Sequence, residues 1–226
     1  MRYRSVALLG LLLALTLAAC VRQPAPFTYD LDVLYFVDLA LGEDAAAPAL
    51  EAFEAAHSAL SVTYTTDNAV FLTELAGDPD LIVVFNQGDF MEPAFRDAIV
   101  DWIDGGGAAV VADWDWQAEV LAALEVSLVD TNHASITFDD TRLGAGVTSP
   151  MALANPGWFV AYSTGLATTT GVVAASFDND TAAVVYGNDG RTAAVGLLND
   201  TIADADDAER FFMNLFDLMM KGTAVP

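Results

Sequence analysis

Gly105-Gly106-Gly107-Ala108-Ala109-Val110-Val111-Ala112-Asp113 marks a change of period in the chain. Before it, Phe95, Ile99, Trp102 and Ile103 recur at helical spacing after Pro93, a residue suited to a first helical turn. The three glycines stop that helix. Ala108 to Ala112 is then a short apolar run of the kind found in strands buried on both faces. Upstream, Asp32 to Val37, Ser61 to Thr65 and Leu81 to Phe85 are β-rich runs, and Leu50, Phe53 and Leu60 fall on one helical stripe after Pro48. Strands alternating with helices predict an α/β domain with a doubly wound, mainly parallel sheet and helices on both faces.

Beyond Glu125 the pattern changes to closely spaced strand-like runs at Ser135–Phe138, Trp158–Tyr162, Val172–Phe177, Ala182–Tyr186 and Thr192–Leu198. Asn188-Asp189-Gly190 between the last two is a hairpin signal, because these residues tolerate positive φ. The C-terminal half is therefore expected to be rich in β-hairpins. A final helix buries Ala208, Phe211, Phe212, Leu215, Leu218 and Met219, with acidic residues at its start and Lys221-Gly222 at its finish.

The N-terminal end carries Arg2 and Arg4, then an apolar or small run from Val6 to Ala19 that is too short to span a bilayer. Leu17-Ala18-Ala19-Cys20 closes it and resembles the lipobox of bacterial lipoprotein precursors. Residues 1–19 are thus expected to be a signal peptide, Cys20 the lipidated first residue of the mature chain, 20–30 a tether, and 31–222 a single domain. The resemblance implies a lipid anchor in a membrane of the cell envelope.

Cys20 is the single cysteine, so the domain has no internal disulfide and no cysteine-based metal cage. Asp and Glu number 32 against 8 Lys and Arg, a formal net charge of −24. Loss of Arg2 and Arg4 with the signal would take −24 to −26. Nucleic acid is excluded as an expected partner, because phosphate binding depends on basic clusters that this chain lacks. Such an excess of aspartate suits a saline habitat, and also simple solubility.

Gly107 to Asp113 continues as Trp114-Asp115-Trp116-Gln117, a strand running into a helix, and Val195-Gly196-Leu197-Leu198-Asn199-Asp200 is a second strand with a polar end. In these segments, and in the organisation of residues 30–221, the chain resembles the class I glutamine amidotransferase-like domains, which are flavodoxin-like. The resemblance places Asp113 where the family has its nucleophilic cysteine, Leu198 at the catalytic histidine and Asp200 at the acid. Aspartate cannot replace a thiolate here without a new base, and leucine accepts no proton. The resemblance therefore implies a domain without amidotransferase activity.

Ligands of open α/β sheets bind beyond the carboxyl ends of the strands. Asp38, Asn86, Gln87, Asp113, Trp114, Asp115, Asn199 and Asp200 lie at four such ends and are expected to meet at one edge. They would form a cleft of carboxylates and amides with tryptophan walls, suited to a sugar, a peptide or a cation. Strand ends are polar in any case, because turns select Asp and Asn. A close pair such as Asp113 and Asp200 would instead give a hydrolase with one raised pKa.

His57 and His133 are too isolated for a histidine-based zinc site and are expected to be structural. Asp200, Asp204, Asp206, Asp207 and Glu209 lack the spacing of a calcium loop and read as an acidic helix start. No lysine follows the three glycines, so they are no phosphate cradle. At least one of Trp114 and Trp116, and also Trp158, is expected in the core. Without a metal or cofactor signal, three functions stand. They are an envelope lipoprotein binding a small molecule or an envelope protein, a carboxylate-based hydrolase, and a structural scaffold.

Overall fold

The computed structural model describes residues 29–39, 42–159 and 161–222. The expected signal peptide, Cys20 and all but the last two residues of the tether lie outside these described residues. The first half alternates strand and helix: β1 (Leu31–Asp38), α1 (Ala47–Ala56), β2 (Leu60–Thr65), α2 (Asn68–Leu75), β3 (Leu81–Asn86), α3 (Pro93–Asp104), β4 (Ala108–Asp113) and α4 (Ala118–Ala123). The second half contributes β5 (Val126–Thr131), β6 (Ser135–Phe138), β7 (Met151–Ala152), β8 (Thr164–Thr168), β9 (Val172–Phe177), β10 (Ala182–Gly187), β11 (Thr192–Val195) and α5 (Ala205–Met220).

The strands form one sheet in the order β2-β1-β3-β4-β11-β10-β9-β6-β7, with β8 also on β10 and β5 on β8. From β2 to β11 every pairing is parallel. From β11 onward the neighbours are antiparallel. The chain passes from β1 to β2 on one side and then back to β3 on the other, so the strand order reverses between β1 and β3.

The apolar runs are explained by burial on both faces. Tyr35, Phe85 and Val110 point into a core shared with α1 and α5, where Phe211, Phe212 and Phe216 pack. Leu34, Phe36, Val84 and Val111 point the other way, into a second core with Phe71 of α2, Phe95 and Ile99 of α3 and Val120 of α4. The central strands β1, β3 and β4 thus alternate between two apolar layers and show no polar face to the sequence.

Several expectations are corrected. Leu60 belongs to β2 and not to the first helical stripe, because α1 ends at Ala56 and His57 adopts an extended conformation. The described part of Trp158–Tyr162 is not a strand. There the Asn155 amide takes the place of a ladder: Oδ1 accepts from the N–H groups of Gly157 and Trp158, and Nδ2 donates to the Trp158 carbonyl. The strand in this region is β8, where Leu166 is the single large apolar residue. Also unanticipated are α2, which Asp67 caps by accepting from Ala69 N and Val70 N, and the largely exposed β5. Between β10 and β11 the hairpin turn forms, with φ of 51°, 57° and 82° at Asn188, Asp189 and Gly190.

Candidate functional site

Three parallel strands end in the same register: Asp38 of β1 pairs with Asn86 of β3, and Asn86 with Asp113 of β4. Strand alternation continues the row Phe36, Val84 and Val111, so all three side chains belong to the face covered by α2, α3 and α4. Asn86 Nδ2 donates to Asp113 Oδ1 at 2.9 Å and to the Asp89 carbonyl at 3.1 Å. Asp38 Oδ2 accepts from Asp89 N at 2.8 Å, and Trp114 Nε1 donates to the same Asp89 carbonyl at 3.1 Å. The loop after β3 is thereby tied to the ends of three strands. A Cβ at Gly88 would lie 2.3 Å from Asp38 Oδ1, so a side chain there would displace the Asp38 carboxylate.

Beyond this row opens a cleft of about 610 Å³ between the end of β1, the start of α2 and the loop after β3. It sits where the strand order reverses, which is where open α/β sheets leave a crevice. Asp38, Asp67, Asp89 and Glu92 line it, with Asn86 and Phe36. Phe90, 69% exposed, also lines the cleft and lies 5.1 Å from the Trp114 ring.

Asp113 is the anchor behind the cleft. It is 2% exposed, its Oδ1 accepts from Asn86 and from Asp115 N, and its Oδ2 has no partner. Burial pushes its pKa up to about 6, against the opposing pull of those hydrogen bonds. Asp115 Oδ2 accepts from Gln117 Nε2 and so closes its own turn.

Gln87, Asn199 and Asp200 belong to a second polar group, on the side of α1. Gln87 Oε1 accepts from Asn199 N at 3.0 Å, and Asn199 Nδ2 donates to Asp44 Oδ1 at 2.8 Å. Asp44 in turn accepts from Tyr35 Oη and from the amides of Ala46 and Ala47, where α1 begins. Asp200 Oδ2 accepts from Trp158 Nε1 at 2.9 Å, and burial raises its pKa. The eight strand-end residues thus reach one edge, but the sheet divides them between two sides. Gln87, Asp113 and Asn199 are buried and do not line the cleft, whereas Asn86, also buried, forms part of its floor.

Asp113, Leu198 and Asp200 occupy the triad positions implied by the resemblance. Asp113 is the last residue of β4 and α4 begins only at Ala118, so no tight elbow presents it. No residue from Asp113 to Gln117 has positive φ. Leu198 is 2% exposed. Asp113 Oδ1 accepts from Asn86 and Asp115 N, whereas Asp200 Oδ2 accepts from Trp158 Nε1.

His57 ends α1 against Tyr29 and Phe53, and buried His133 stacks on Phe177 at 4.0 Å. Trp116 and Trp158 are buried, whereas Trp114 is half-exposed. Asp204 caps α5 through Asp206 N and Asp207 N. Among the described residues, no group of three or more His, Cys, Asp or Glu is arranged to hold a metal ion. No described helix is long and apolar enough to cross a membrane. The sequence expectation missed Asp67, Asp89 and Phe90. A helix-capping Asp67-Asn68 pair and the polar stretch after Leu81–Phe85 were the available signals.

No family model matches the sequence, and no curated protein matches it. Solved structures do. A ThuA-like protein from Bacteroides uniformis superimposes with a TM-score of 0.59 at 12% identity, over 86% of this chain and 94% of that one. A ThuA-like protein from Parabacteroides merdae gives 0.54 at 8% identity, over 87% and 92%. A GMP synthase subunit from Thermoplasma acidophilum gives 0.53 at 12%, over 84% and 95%. The fold is therefore the class I glutamine amidotransferase-like fold.

Proposed function

We propose that the chain is a lipid-anchored envelope protein that binds a small polar ligand, without turning it over, in the cleft beyond β1 and β3. The observation that carries this reading is the cleft itself, about 610 Å³ of open space over polar strand ends and beside an exposed aromatic ring. That size lies within the range of small-molecule sites. The absence of catalysis rests on Asp113 and Leu198, a buried acid and a buried hydrocarbon where a nucleophile and a base would be needed. The anchor rests on the Val6–Ala19 run and on Leu17-Ala18-Ala19-Cys20.

Two measurements test it. Expression of the full chain in a bacterium that processes lipoproteins should give a product that begins at Cys20 and carries acyl chains by mass spectrometry. Cys20→Ser should remain unacylated. A thermal-shift screen of the acylated protein in detergent, against sugars, peptides, amines and nucleotides, should then find a stabilising class. A ligand at about a hundred times its Kd adds about 2.7 kcal/mol. Turnover of an ester, glycoside or amide substrate, lost in Asp113→Asn, would overturn the non-catalytic reading.

A further inference from the structure

We infer that the chain has a second ligand site, for a neutral hydroxylated molecule of sugar or polyol size, between the loop after β6 and the start of β9. It is independent of the cleft beyond β1 and β3. A cavity of about 300 Å³ opens there, lined by Asp139, Asp140 and Arg142 of the loop, Val172 and Val173 of β9, and Tyr186 of β10. That volume stands at the lower end of small-molecule sites.

The Tyr186 hydroxyl is the feature that points to a ligand. Tyr186 is 1% exposed, and its Oη is buried with no hydrogen-bond partner among the described residues. Asp140 and Arg142, which line the cavity with it, are the charged groups that act on this hydroxyl. The Oη therefore lies on the cavity side of the ring. Burial raises its pKa above the ordinary phenol value, so the group keeps its proton and donates. Native proteins rarely leave a buried hydroxyl unsatisfied.

The rest of the wall is held in place. Asp139 N and Asp140 N both donate to the Ala174 carbonyl, which fixes the loop on β9. Arg142 Nε donates to Asp140 Oδ1 at 3.0 Å and Nη2 to Oδ2 at 2.7 Å, so the two charges meet as a fork. Asp139 Oδ2 accepts from Ser176 Oγ.

This wall selects by charge and by hydrogen bonding together. An anion would meet Asp139 and Asp140, and a cation would meet Arg142. A hydrocarbon would leave the Tyr186 hydroxyl without a partner. A ligand hydroxyl accepts from the phenol or the guanidinium and donates to a carboxylate through the same oxygen. Val172 and Val173, 38% and 37% exposed, offer apolar contact to the C–H face of a sugar ring or polyol.

Isothermal titration and saturation-transfer NMR on the full chain, in a detergent without sugar headgroups, test this. The probes are glucose, mannose, ribose, inositol and glycerol, with glucuronate and glucosamine as charged counterparts. At least one neutral probe should bind one-to-one, and both charged probes more weakly than the best neutral one. Tyr186→Phe should weaken that binding about fivefold, the effect of one lost hydrogen bond, while the melting temperature stays the same or rises. Val172→Trp, which fills the cavity from a partly exposed position, should abolish binding, and it tests the site even if Tyr186→Phe fails to fold. Phe90→Ala, at the other cleft, should change nothing. Binding by no neutral probe, or binding untouched by Tyr186→Phe and Val172→Trp, would overturn the inference. Loss of binding in Phe90→Ala alone would overturn it too and would leave the reading of the first cleft standing. Equal or tighter binding of glucuronate or glucosamine would overturn the assignment to a neutral ligand.

Discussion

Asn86 and Asp113 face each other in the same register across β3 and β4, and Asn86 Nδ2 donates to Asp113 Oδ1 at 2.9 Å. The same nitrogen also holds the Asp89 carbonyl, so one amide joins a buried carboxyl to the loop that walls the cleft. It satisfies one carboxyl oxygen and leaves the other without a partner.

Asp113 should make stability depend on pH. Its folded pKa of about 6 lies above the ordinary 3.8, so the folded state holds the proton more tightly than the unfolded chain does. Its contribution is fully present below about 3.8 and is lost as pH rises through about 6. A shift of this size corresponds to roughly 2–3 kcal/mol. Urea unfolding at pH 5 and pH 7.5 should show a smaller pH difference in Asp113→Asn than in the parent. An unchanged difference would mean that Asp113 does not titrate in this window.

Asn86→Leu should cost about 2–3 kcal/mol at pH 7.5, because it removes the Asp113 donor and leaves a buried charge less satisfied. The cost should shrink at pH 5, where Asp113 is largely protonated. A double-mutant cycle with Asp113→Asn should show coupling above about 0.5 kcal/mol.

Gly196→Ala should be more damaging than a typical glycine substitution. A Cβ at Gly196 would lie 2.2 Å from the Thr164 carbonyl oxygen, a backbone atom. Thr164 N donates to Gly196 O, and Gly196 N to Ala183 O, so the new methyl would push apart hydrogen-bonded chain segments. The expected loss is about 1–3 kcal/mol in chemical denaturation. No loss would show that these segments can shift at no cost.

Asp204→Ala should cost about 1 kcal/mol. Its side chain caps α5 through Asp206 N at 3.0 Å and Asp207 N at 3.1 Å. Asp204→Asn should recover most of that stability, as it keeps the acceptor. Equal losses in the two variants would show that charge at the positive helix end matters more than the cap.

What the sequence determined by itself was set by neighbours along the chain. The runs Leu81–Phe85 and Ala108–Ala112 announce buried strands, the Phe95–Ile103 stripe between them announces a helix, and Gly105-Gly106-Gly107 announces its end. Turn chemistry likewise marks Asn188-Asp189-Gly190, and strand ends mark the eight candidate cleft residues. Elements with little apolar signal of their own escaped: β8, which has Leu166 as its one large apolar residue, and the largely exposed β5 are held by pairing with each other. That pairing joins residues some forty positions apart, and no local period records it. The site was decided in the same way. Asn86 and Gln87 are adjacent in the chain, yet a strand turns successive side chains to opposite faces, so one joins Asp113 behind the cleft and the other joins Asn199 on the far side of the sheet. Register across three strands aligns Asp38, Asn86 and Asp113 in a row, and register exists only once the sheet has formed.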